Sequence, residues 1–95
     1  MKVEYTRHAM LRLEVRSTGR GEVEHVLRSP SSVYYDITAN TMIAIGERTR
    51  RRGHWLIVVY TRRGDAYRVV TVIDTKSVDK ITRRRVSSGR WVKVW

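Results

Sequence analysis

Three short apolar runs follow one another between residues 42 and 74, and each of the first two is closed by a polar cluster containing glycine. The first run is Met42-Ile43-Ala44-Ile45-Gly46-Glu47-Arg48-Thr49, closed by Arg50-Arg51-Arg52-Gly53. The second is His54-Trp55-Leu56-Ile57-Val58-Val59-Tyr60-Thr61, closed by Arg62-Arg63-Gly64-Asp65, and the third is Tyr67-Arg68-Val69-Val70-Thr71-Val72-Ile73-Asp74. Runs of this length, rich in β-branched and aromatic residues and separated by glycine-bearing turns, are expected to be consecutive strands joined by hairpins. Positions 55–60 are apolar without alternation. A strand of that kind needs cover on both faces, which makes it the expected central strand.

The flanks change period. Residues 2–5 fit a short edge strand. Thr6 is a good N-cap for a helix over about 7–16, whose Ala9, Met10 and Leu13 share a face. On another face His8, Arg12 and Arg16 recur every four residues, and this row can face phosphate or solvent. Ser17-Thr18-Gly19-Arg20-Gly21 interrupts the pattern, and a second helix is expected from about 21 to 28, with Val23, Val26 and Leu27 inward. Glu22 and Glu24 suit the positive end of its dipole, and Pro30 stops it. A strand over 32–37 follows. After residue 74, Val78, Ile81, Arg85 and Val86 suit a helix over about 77–87 capped by Gly89, with Lys80, Arg83, Arg84 and Arg85 making it basic. Arg90-Trp91-Val92-Lys93-Val94-Trp95 alternates. It reads as a further strand or a mobile arm, with its tryptophans stacking on bases, capping a core edge, or meeting a second copy in a homodimer.

Ninety-five residues suit a single domain, 1–95. Without cysteine there is no disulfide or thiolate metal site, and His8, His25 and His54 are not spaced as metal ligands, so neither metal nor cofactor is expected. No apolar run reaches membrane-spanning length and no signal-peptide core opens the chain, which leads us to expect a soluble, cytoplasmic protein. Twenty Lys and Arg face nine Asp and Glu, a formal charge of +11, and most of the cations are arginine. Such a surplus points to a polyanionic partner, RNA or DNA before membrane. The absence of Gln and Cys, with Asn40 the only asparagine, fits a thermophile, whose charged surface is the bland alternative.

In order, His8-Ala9-x-x-Arg12-Leu13, Val26-Leu27-x-x-Pro30 and Val69-Val70-Thr71-Val72 resemble an uncharacterised family of small HAxxR-type domains in the RelE-like group. The segment from Ile43-Ala44-Ile45-Gly46 through Tyr60-Thr61-x-Arg63-Gly64-Asp65 is also similar to BrnT-type toxins of that group. The resemblance covers most of the chain up to Asp74. It implies an α+β fold: two N-terminal helices on a four- to five-stranded antiparallel sheet, here followed by a basic C-terminal helix. It also implies RNA as ligand, metal-independent RNA cleavage, and a small antitoxin, acidic if it matches this surface.

Such cleavage needs a base, a cation for the phosphorane and an acid for the leaving oxygen. His8 and Glu47 are the candidate bases, Arg12 and Arg48 the phosphate ligands, and Tyr60 and Thr71 the substrate-orienting residues on the open sheet face. Alternation puts Arg48 with Gly46 and Glu47 opposite, which argues against Glu47 and Arg48 acting together. Arg16, Arg50, Arg51, Arg52, Arg83, Arg84 and Arg85 are the expected nucleic-acid contacts. A non-catalytic nucleic-acid-binding module accounts for the same charges without any chemistry.

Overall fold

The computed structural model describes residues 1–95 as an α+β fold with three helices and one six-stranded sheet. In chain order the elements are β1 (Lys2–Tyr5), α1 (Arg7–Val15), α2 (Arg20–Arg28), β2 (Ser32–Asp36), β3 (Thr41–Glu47), β4 (Trp55–Arg63), β5 (Ala66–Thr75), α3 (Val78–Ser87) and β6 (Trp91–Lys93). The sheet order is β1-β5-β4-β3-β2-β6. It differs from the expected antiparallel sheet in two ways. The tail adds a sixth strand against β2, and β1 runs parallel to β5. A meander of four strands ends beside the first strand pointing the same way, and the connection between this parallel pair runs through α1, α2 and the three strands β2–β4, well beyond the length such a pair requires.

β4 is the buried centre: Leu56, Ile57 and Val58 are all without exposed surface. On one face Leu56, Val58, Val69 and Val72 meet Ala9 and Leu13 of α1 and Val23, Val26 and Leu27 of α2. On the other, Ile43, Ile45 and Ile57 pack with Tyr34, Trp91 and Val78, so α3 and the tail cover only part of that face. Gly46 lets α2 approach β3, since a Cβ there would lie 2.9 Å from Val26 Cγ2. Trp91 stacks on Tyr34 at 5.6 Å and is buried, whereas Trp95 is exposed.

Local chemistry sets the joints. The Thr6 hydroxyl accepts from Ala9 N at 3.1 Å, capping α1, and donates to the Val70 carbonyl at 3.0 Å, tying the helix start to β5. α3 ends in a left-handed residue, Gly89 with φ +76°, after which Arg90 N donates to the Arg85 carbonyl at 3.0 Å.

The β4–β5 pair carries one irregularity, between Val59 and Tyr60. Val59 faces Thr71 and Tyr60 faces Val69, so Val70 is an extra residue, a β-bulge. Strict alternation would send Val70 and Thr71 to opposite faces; instead both line one cavity on the α3 face.

Candidate functional site

Arg48 lies just past β3, buried, and its guanidinium is fully used inside the protein. Nε donates to Glu22 Oε1 at 3.1 Å and Nη2 to Glu22 Oε2 at 2.9 Å, a two-pronged pair. Nη1 bonds Asp74 Oδ2, and the carbonyls of Arg16 and Ser17 accept from Nη1 and Nη2 at 3.4 and 3.2 Å. The expected phosphate ligand is therefore a structural clamp joining α2, the α1–α2 loop, β3 and β5. Burial by itself would raise the pKa of Glu22 and Asp74. The hydrogen bonds from Arg48, and from His54 onto Asp74, more than reverse this and hold both carboxylates below their ordinary range.

The same Asp74 reaches outward. Its Oδ1 lies 2.6 Å from His54 Nδ1. An ionised carboxylate only accepts, so Nδ1 carries the proton and Nε2 is left as the basic nitrogen of the neutral ring. His54 lines an open cleft of about 620 Å³ walled by Val15, Arg16 and Ser17 at the end of α1, by Arg51, and by Asp74, Thr75 and Lys76 at the end of β5. Arg51 Nη1 stands 3.9 Å from Asp74 Oδ2 and is more than half exposed. Three exposed cations and one oriented imidazole thus share a cleft whose single carboxylate is already engaged by Arg48 and His54. A second depression adjoins it through Lys76 and adds Trp55, Lys80 and Arg83 along the start of α3.

The other expected site residues do not assemble as proposed. His8 Nε2 lies 3.1 Å from Thr71 Oγ1, so these two do meet, where β5 runs on beyond its pairing with β1. Arg16, two turns further along α1, lines the cleft, and half-buried Arg12 lies between them with its Nε unpartnered. The row therefore follows β5 from Thr71 towards Asp74. Tyr60 is not on the open face. It is buried beneath the helices against Tyr67, 5.3 Å away, and burial raises its pKa. Glu47 is exposed and Arg48 buried, on opposite sides. Arg50, Arg52, Arg83 and Arg84 are exposed, while Arg85 is half-buried beside the bulge.

Sequence reasoning missed His54, Asp74 and Lys76. The signal was partly available. Counting outward from Arg63↔Ala66 without a bulge sets Asp74 opposite Trp55, on the α3 face. The extra residue at Val70 moves it opposite Leu56, on the side where Arg48 lies. No three His, Asp or Glu side chains converge as a metal site, and no helix is long and apolar enough to cross a membrane. No family model, curated protein or solved structure matches the chain.

Proposed function

We propose that the protein binds RNA in the cleft between α1 and the ends of β4 and β5, and that His54 is placed there to open a phosphodiester without a metal. One observation carries this reading: Arg16, Arg51 and Lys76 converge with an imidazole whose tautomer is set by a buried carboxylate. Nε2 of His54 takes the 2′-hydroxyl proton as that oxygen attacks the adjoining phosphorus. The three cations stabilise the extra negative charge on the phosphorane. The bond from phosphorus to the 5′-oxygen then breaks and water protonates the leaving oxygen, giving a 2′,3′-cyclic phosphate and a 5′-hydroxyl end. DNA has no 2′-hydroxyl and binds the same cations uncut.

Two helices on one sheet face and a half-open opposite face support the RelE-like reading as well. In that reading an acidic antitoxin would compete with RNA for the cleft cations.

The test is labelled RNA incubated with the protein in EDTA. Wild type leaves cyclic-phosphate ends; His54→Gln keeps RNA affinity within a few-fold and loses cleavage. Binding that Arg51→Ala and Lys76→Ala weaken, with no cleavage by wild type, assigns a non-catalytic binding module instead. Failure to bind RNA at low salt refutes both.

A further inference from the structure

The bulge in β5 builds a second, chemically different cavity. It holds about 240 Å³ and opens on the part of the sheet that α3 leaves uncovered. Its floor is aliphatic, from Ile43 and Val59 of the neighbouring strands and from Val70 and Ile73 of β5. Trp91 adds an aromatic wall. Three polar features interrupt this surface. Thr41 Oγ1 is buried and has no hydrogen-bond partner. Thr71 offers a hydroxyl held in place by His8. Arg85 stands half-buried at the rim and makes no ion pair. Asp36 also lines the cavity, but its carboxylate is engaged by Arg90 Nε at 3.0 Å, Trp91 Nε1 at 3.3 Å and Ala39 N at 2.9 Å. The uncompensated charge at this cavity is therefore positive.

We infer that this cavity is a nucleotide subsite: an unstacked base lies on the aliphatic floor, the Thr41 hydroxyl, out of solvent's reach in this structure, turns about χ1 to bond its polar edge, and Arg85 meets the attached phosphate. A buried hydroxyl without a partner is costly and is the kind of group a ligand satisfies. A flat ring with polar edges and an anionic neighbour matches one apolar floor, one buried hydroxyl and one free guanidinium. The volume lies below the roughly 300–1,000 Å³ typical of pockets for drug-sized ligands, so it takes one base and not two. The inference rests on the RNA reading, because the strand supplying the base is the one held in the cleft. From Thr71 to Asp74 along β5 is on the order of 10 Å at ~3.3 Å per residue, and because β1 pairs only with residues 66–69 of β5, a short oligonucleotide can round the open sheet edge there from one face to the other. Both ends of that path are marked by α1, His8 at Thr71 and Arg16 at the cleft.

The experiment titrates the full chain with uridine and adenosine 5′-monophosphates, and separately with inorganic phosphate, while following NMR signals of Thr41, Val70 and the Trp91 indole. The expected result is saturable shifts at these residues with at least one nucleotide and none with phosphate alone. Thr41→Val should weaken nucleotide binding roughly threefold to tenfold, the scale of one hydrogen bond, while leaving the melting temperature unchanged or higher, since it removes an unpaired hydroxyl. Arg85→Ala should weaken it by about tenfold. Absent shifts, identical shifts with phosphate, or wild-type affinity in Thr41→Val would overturn the inference. RNA binding with silent cavity signals removes the subsite and spares the cleft. Cavity shifts without any RNA binding do the reverse.

Discussion

Replacing Arg48 by alanine separates a structural from a functional role for this residue. The change leaves Glu22 and Asp74 buried, with side chains 5% and 7% exposed, and removes the guanidinium that neutralises both. Asp74 keeps His54, whereas Glu22 keeps only backbone donors. Breaking a buried ion pair by deleting one partner costs about 3–5 kcal/mol. Domains of this kind have roughly 5–15 kcal/mol in total, so the variant should be marginal, with its melting temperature lowered on the order of 12–40 °C. The pH dependence gives a sharper signature. Both carboxylates have folded-state pKa values below their unfolded ones, so their contribution is present above an unfolded pKa of about 4 and is lost as pH falls through the folded value. Without Arg48, burial favours the protonated acids. The gap between wild type and variant should therefore narrow as pH drops from 7 towards 4. Urea melts of both proteins at several pH values measure it. A loss below about 1 kcal/mol, a gap indifferent to pH, or a stable variant that has lost only RNA affinity would refute the structural assignment.

Gly46→Ala puts a methyl group 2.9 Å from Val26 Cγ2 and should cost about 1–3 kcal/mol in urea melts unless α2 shifts outward. Asp36→Ala frees Arg90 and Trp91 together; a loss of about 1–3 kcal/mol is expected at pH 7, shrinking in acid because the Asp36 pKa is lowered in the fold. His8→Ala gives up one exposed hydrogen bond to Thr71, so chemical denaturation should register no more than about 1 kcal/mol. If Arg16, Arg51 and Lys76 each contact a phosphate, the log–log salt slope for single-stranded RNA should be near −2, becoming shallower by about 0.7 in Lys76→Ala.

What the chain alone determined is what nearest neighbours decide. The α+β class, the central apolar strand, the Thr6 cap, the basic helix closed by Gly89 and the surplus of arginine were all readable, because propensity, period and charge act within a few residues. The parallel placement of β1 against β5 was not, since no local pattern says which edge a first strand will join. Nor was the bulge: Val69-Val70-Thr71-Val72 reads as uninterrupted strand, yet one unpaired residue there sets the facing of everything after it. That slip brings Asp74 to Arg48 and His54 and turns Thr71 toward the cavity. The same dependence on distant partners explains why Arg48 and Tyr60 were misplaced. A guanidinium near a strand end looks the same in sequence whether it meets phosphate or Glu22, and a tyrosine in an apolar run does not reveal which face the helices will cover. Tertiary packing decided both, because buried charge is tolerated only where opposite charge arrives from elsewhere in the chain.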